Sequence, residues 1–81
     1  MSHYAKIFFD VSDAGDVYHD ARGTNLPSEE AAKIKGFAIV SKLMVQKGRT
    51  EGDDVVCTIR DITGHQIMQI ALISGTPVVR T

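Results

Sequence analysis

The chain has 81 residues, a formal charge of −1 and a single cysteine, Cys57. We expect one domain, residues 1–81, near the lower size limit for folding without disulfides or metals. The near-neutral charge provides no global field for nucleic acid or acidic membranes, and one cysteine excludes an internal disulfide or a cysteine-rich zinc site. Since no apolar run could span a bilayer and residues 1–6 do not resemble a signal peptide, we expect a cytoplasmic protein.

The first part of the chain predicts a β-hairpin over about residues 4–20. Apolar and polar side chains alternate from Tyr4 to Val11, which is the period-two pattern of a half-buried strand. A turn follows in which Gly15 can take a positive φ, and residues 16–20 form the return strand. A second turn, Asp20-Ala21-Arg22-Gly23, then leads toward the next element.

A helix is predicted over residues 28–46. Ser28 can cap a free backbone N–H group, and Glu29 and Glu30 follow at the positive end of the helix dipole. Lys47-Gly48 supplies a cation and a glycine stop, so the polar stretch that follows predicts a loop.

Two apolar stripes run along this helix. The first comprises Ala32, Gly36, Ile39, Val40 and Leu43. Gly36 lowers helix propensity by about 1 kcal/mol relative to Ala, which makes sense if the helix backbone lies close to a sheet there. The second stripe comprises Ile34, Phe37, Ala38, Ser41 and Val45. Because one sheet covers one stripe, we expect the second to bind another chain, most simply in a symmetric dimer; the alternative is cover by the C-terminal tail with Val78 and Val79.

A second hairpin is predicted over residues 54–73. Its strands, 54–61 and 66–73, are separated by the turn Asp61-Ile62-Thr63-Gly64, and we assign Met68, Ile70 and Leu72 to the core. The tail, 74–81, could add an edge pairing. The predicted fold is therefore α+β with the order β-β-α-β-β: a four-stranded antiparallel sheet with one helix across one face.

The residues that could perform chemistry do not form a motif. Asp10, Asp13 and Asp16 lack the spacing and closing glutamate of a calcium loop, so we interpret them as turn and strand residues. His3, His19 and His65 show no metal-ligand spacing, and Cys57 on an apolar strand is typical of a small core residue. We therefore expect no catalytic residue, no cofactor, no metal and no enzyme activity.

Basic residues near the helix form a candidate strip for RNA or DNA. Its members are Lys33, Lys35, Lys42 and Arg49. We favour a solvated helix flank and polar loop, because the total charge is slightly negative.

Several short motifs carry a resemblance to a known family. They are Lys6-Ile7-Phe8-Phe9-Asp10-Val11, Asp20-x-x-Gly23-x-x-Leu26-Pro27, Glu30-Ala31-Ala32 and Ile59-Arg60-Asp61-x-x-Gly64. In these the chain resembles a family of small uncharacterised bacterial proteins, a domain of unknown function. The chain departs from the family pattern in having Ile7 in place of a tyrosine and Gly36 where alanine is usual. The resemblance implies fold and compartment, but no active site.

The hairpin-and-helix unit also resembles, by architecture alone, the partner-binding domains of HicB-type antitoxins. The favoured function is a non-catalytic protein-interaction module that homodimerises or docks a partner through the Ile34, Phe37 and Val45 side of the helix. The alternative is a HicB-antitoxin-like regulatory domain that binds a small toxin or nucleic acid. A small enzyme or metal protein is the third interpretation.

Overall fold

The computed structural model of the protein describes residues 4–13, 15–46, 55–73 and 75–81. Over these ranges the chain forms an α+β fold with one helix and six strands. In chain order these are β1 (Ala5–Asp13), β2 (Asp16–Tyr18), β3 (Thr24–Leu26), α1 (Glu29–Gln46), β4 (Val55–Arg60), β5 (Gln66–Ile73) and β6 (Thr76–Arg80). The predicted helix stop at Lys47-Gly48 and the loop after it lie outside the described residues.

All strands join one antiparallel sheet with the order β2–β1–β4–β5–β6, and β3 also pairs with β1. β2 pairs with the end of β1, where Val11 faces Tyr18, and β3 pairs with its beginning, where Ile7 faces Thr24. Between these two pairs β1 advances by four residues, whereas the return chain advances by six, so the return chain has two extra residues. β2 and β3 are therefore two segments of one interrupted sheet edge.

The sheet corrects the predicted four strands to six. The return strand predicted over 16–20 ends at Tyr18, and residues 24–26, predicted as a connection, form β3. The three residues of β3 carry too little alternation to be recognised as a strand in the sequence, although the backbone of β1 still needs hydrogen-bond partners there. The predicted edge pairing of the tail is confirmed, because β6 pairs with β5.

The core lies between one face of the sheet and α1. The residues assigned to it from β5, Met68, Ile70 and Leu72, are buried, and so is Cys57. The other buried residues of this core are Ile7, Phe9, Val11, Ala32, Val40, Val55 and Ile59. We call this the packed face of the sheet and the other the open face.

Local signals at the helix start behave as predicted. Ser28 Oγ accepts a hydrogen bond from the Ala31 N–H at 3.1 Å, so Ser28 caps a helix that begins at Glu29. Within the described residues, no helix has the length and apolar character needed to cross a membrane.

Candidate functional site

The first apolar stripe of α1 packs on the sheet, as predicted. Ala32 and Val40 are fully buried, and Ile39 and Leu43 pack against the core from its margin. A Cβ atom at Gly36 would lie 2.5 Å from Ile70 Cδ1, so the helix backbone approaches the sheet closely there. The reason inferred for this glycine is confirmed.

The second stripe lies on the opposite side of the helix. Ile34 is 63% exposed and Val45 is 77% exposed, and Ala38 and Ser41 between them are also exposed. Phe37, predicted to share this surface, is instead half-buried and packs against the core. We define the outer helix face as Ile34, Ala38, Ser41 and Val45.

The C-terminal tail does not cover this face. Val78 and Val79 lie in β6, where they pair with Ala71 and Ile70 of β5 at the edge of the sheet. The tail is bound by strand pairing, which satisfies its backbone groups. No part of the chain that the structure describes therefore covers the outer helix face.

A second feature, on the open face, is a cluster of polar side chains. Arg60 Nε and Nη2 donate to the two oxygens of the Asp10 carboxylate at 2.5 and 3.1 Å. Nη2 also donates to the Asp20 carbonyl at 3.1 Å, and the guanidinium lies 4.9 Å from the centre of the Phe8 ring. His19 stands beside the pair, with Nδ1 3.4 Å from Asp10 and Nε2 3.3 Å from Arg60. We call Asp10, His19, Asp20 and Arg60 the polar cluster.

Asp20 organises the interruption between β2 and β3. Its carboxylate accepts the N–H of Phe9 at 3.1 Å, a backbone donor of β1 beside the interrupted edge. It also accepts the N–H groups of Arg22 and Gly23 at 3.1 and 2.9 Å, while its own N–H donates to Asp10. One side chain thus replaces the missing strand partner and forms the turn.

Gly23 is required at this turn for two independent reasons. Its φ is +73°, in the left-handed region that favours glycine. In addition, a Cβ atom there would lie 2.8 Å from Lys6 Cγ and 2.9 Å from Phe8 Cε2. The Asp20-x-x-Gly23 motif is therefore explained by the closeness of the loop to the open face.

The electrostatics of the cluster favour its ionised form. The hydrogen bond from Arg60 holds the pKa of Asp10 below its ordinary value, against the opposing effect of burial. Burial would raise the pKa of Asp20, but the N–H donors of Gly23, Phe9 and Arg22 together lower it. Since each carboxylate already has fixed donors and Arg60 already has fixed acceptors, the arrangement fits a structural clamp between strands.

The other residues considered for catalysis or metal binding do not lie together in one site. Asp10 binds Arg60 on the open face, whereas Asp13 is buried on the packed face. Burial raises the pKa of the Cys57 thiol to about 12, which suppresses the nucleophilic thiolate. Among the described residues, no three His, Cys, Asp or Glu side chains could hold a metal ion together. His3 lies outside those residues.

His65 lies at the rim of a cleft of about 610 Å³. The cleft is lined by residues at the start of α1 and in the β4–β5 turn, and by Ile7, Leu26 and Ile67. The carboxylate of Asp61, which also lines the cleft, already accepts hydrogen bonds from Thr63 and from the His65 N–H.

The basic residues of the candidate strip are dispersed. Lys33 lies on one flank of α1 and is 3.3 Å from Glu30. Lys35 and Lys42 lie on the other flank, where Lys35 Nζ stands 5.9 Å from the centre of the Phe9 ring. Arg49 is outside the described residues.

Sequence reasoning missed the Asp10–Arg60 pair, although a signal was present. Both residues fall on the polar side of their strands, as does Thr58, which faces Asp10. Opposite charges on the same side of two strands predict a cross-strand pair once the strands are known to be neighbours. The sequence did not show that β1 and β4 are neighbours in the sheet, so it did not predict the pair.

Comparison with known proteins places the chain at the level of a family. No curated protein and no solved structure matches it. A family model does match residues 6–74, from β1 to just past β5, and so includes every motif on which the resemblance to a domain of unknown function rested. The chain belongs to the family described as a domain of unknown function, DUF6894.

Proposed function

We propose that this protein is a non-catalytic protein-interaction module that homodimerises or docks a partner through the outer helix face. The observation that supports this is the exposure of Ile34 and Val45, at 63% and 77%, on the side of α1 that points away from the sheet. Single exposed aliphatic residues are common on protein surfaces, but an aligned apolar stripe is typical of a contact surface.

The shape of the stripe supports the same proposal. Ile34 and Val45 stand about 16 Å apart along the helix, with the small residues Ala38 and Ser41 between them. Small side chains allow another backbone to approach closely, and the larger ones at each end can pack against it. This surface therefore suits a second helix better than a small ligand.

The regulatory alternative, binding of a small toxin or nucleic acid, gains no specific support from the described contacts. Lys33 stands on the opposite flank from Lys35 and Lys42, so the described lysines do not form one continuous strip. The alternative predicts binding that weakens with salt and with neutralisation of Lys33, Lys35 and Arg49.

Solution mass tests the proposal. We expect light scattering to show a mass that rises with concentration, and Ile34→Glu or Val45→Glu to return it toward the monomer. Ile62→Glu is the matched control, because Ile62 is 72% exposed but lies in the β4–β5 turn. Phe37 is unsuitable as a test site, since a charge there would also disturb the core that it contacts.

A monomer at every concentration would contradict self-association. An equal effect of all three glutamate variants would show that apolar exposure in general, and not the outer helix face, drives association. Circular dichroism of each variant establishes that the fold is retained.

A further inference from the structure

The spacing of the exposed residues along α1 suits one kind of partner for the outer helix face. We propose that the partner is a second copy of this chain, and that the two α1 helices lie parallel to each other about a two-fold axis. This rests on the proposed function, and it adds the identity of the partner, its orientation and its register.

The exposed residues follow a coiled-coil repeat. Ile34, Ala38, Ser41 and Val45 are separated by four, three and four residues, which is the alternation of d and a positions in a heptad. Ala31 occupies the preceding a position. Gly36 and Val40, at f and c, are buried against the sheet, so the side of the helix that carries the a and d positions is the one available for a helix partner.

The residues beside this repeat distinguish the two orientations. Lys35 and Lys42 occupy e positions, and Glu30 and Phe37 occupy g positions. In a parallel pair, a g residue faces the e residue five positions later on the other helix. Glu30 then faces Lys35 of the second copy, and Phe37 faces Lys42 of the second copy.

These contacts favour the parallel orientation. Glu30 with Lys35 is an opposite-charge pair, and Phe37 with Lys42 places a cation beside an aromatic ring. In an antiparallel pair e residues face e residues, so Lys35 of one copy would stand against Lys42 of the other. Charge complementarity therefore selects the parallel arrangement over the antiparallel one.

The charged residues are available for these contacts. Glu30 and Lys35 are exposed, and their contacts within the chain are weak ones: Glu30 lies 3.3 Å from Lys33 in an exposed i,i+3 pair. Lys35 Nζ is 5.9 Å from the Phe9 ring centre, near the outer limit of a cation–π contact. Both side chains can rotate toward a second helix at little cost.

The size of the contact predicts a weak dimer. The stripe is about 16 Å long on a helix about 10 Å wide, which is well below the roughly 800 Å² per partner of a standard interface. We therefore expect a dissociation constant in the micromolar range or weaker, and a dimer that is visible only at high protein concentration.

Two charge variants at one position test the arrangement. In the parallel register Ile34 faces Ile34 of the second copy, so Ile34→Glu alone and Ile34→Lys alone each place like charges together. We expect each variant alone to dimerise at least about tenfold more weakly than wild type, and an equimolar mixture to recover most of the loss through a heterodimer. Sedimentation equilibrium of each protein and of the mixture measures both effects.

The doubly substituted chain Ile34→Glu, Val45→Lys is the matched control for orientation. In an antiparallel pair position 34 faces position 45 of the other copy, so this chain would dimerise with itself and the mixture of single variants would not. Recovery in the mixture without recovery in the double variant supports the proposal, and the reverse overturns it. The two substituted positions are about 16 Å apart in one helix, too far for an ion pair within the chain.

The result separates this inference from the proposed function. If wild type dimerises and both single variants are monomers, but neither the mixture nor the double variant recovers, the helix register proposed here is wrong and binding through the outer helix face stands. If wild type is monomeric at every concentration, the second copy is not the partner. That result overturns this inference and the homodimer of the proposed function, but not the docking of a different protein.

Discussion

The two faces of the sheet are stabilised by different physical means. On the packed face, Ile59, Ile70 and Val55 are fully buried beneath α1, and their contribution comes from apolar burial and close packing. On the open face, the interrupted edge is held by directional hydrogen bonds that the Asp20 carboxylate accepts from backbone N–H groups, and by the bidentate Asp10–Arg60 pair.

The two faces determine different properties of the fold. Apolar burial is non-directional, so it specifies that a helix layer lies on the sheet but tolerates small shifts. The polar cluster, in contrast, fixes where the edge strand breaks, because donors and acceptors must meet within a narrow distance and angle. We expect contacts on the packed face to contribute most of the free energy of unfolding, and contacts on the open face to fix the local conformation of the interrupted edge.

The largest expected effect is on the packed face. Ile70→Ala removes a fully buried side chain beneath Gly36, and we expect it to lower the free energy of unfolding by about 2–5 kcal/mol. Urea titration followed by circular dichroism measures the loss. Ile62→Ala, at an exposed position in the β4–β5 turn, should change the free energy by less than about 0.5 kcal/mol. Equal losses in the two variants would contradict the comparison.

The next effect is on the open face. Gly23→Ala forces an alanine into a positive φ and places its Cβ against Phe8 and Lys6. We therefore expect the free energy of unfolding to fall by about 1–3 kcal/mol. Gly15→Ala is the matched control, because Gly15 has a φ of +95° but open space around it. The difference between the two variants isolates the steric part. No difference would mean that the loop moves away freely.

The polar cluster also predicts a pH dependence. The pKa of Asp10 is lower in the folded protein than in the unfolded chain, so its contribution to stability is fully present above about pH 4 and is lost as the pH falls through both values. We expect Asp10→Asn to be less stable at neutral pH and to lose less on acidification than wild type. Urea midpoints from neutral to strongly acidic pH measure this slope. The control Ile62→Ala removes no titratable group and should keep the wild-type slope.

The smallest expected effect is on the outer helix face, which belongs to neither layer of the core. Ile34→Glu at low concentration, where the chain is monomeric, should change the free energy of unfolding by less than about 0.5 kcal/mol, because the side chain is already exposed. Urea titration at that concentration is the measurement. A loss above 1 kcal/mol would show that Ile34 contributes to the core, and its use as an interface probe would then be unsound.

Local patterns in the sequence predicted most elements of the fold but not all of their pairings. The long strands, the capped helix and the packed stripe with Gly36 follow from periodicity and from turn and cap residues over a few positions. β3 was missed because Thr24–Leu26 shows no apolar–polar alternation long enough to indicate a strand. Phe37 was assigned to the exposed stripe because a helical wheel shows direction but not how far a large ring reaches toward the core.

The class of the fold, the packing of one helix on the sheet and the stripe of α1 that faces the sheet were all predictable from the sequence, since each follows from interactions between near neighbours in the chain. The structure was needed to show that β1 lies beside β4, which brings Asp10 to Arg60 across 50 positions, and that the tail pairs with β5 instead of covering α1. Those outcomes depend on which strand edges remain unpaired after the core has formed, and that is a property of the whole chain.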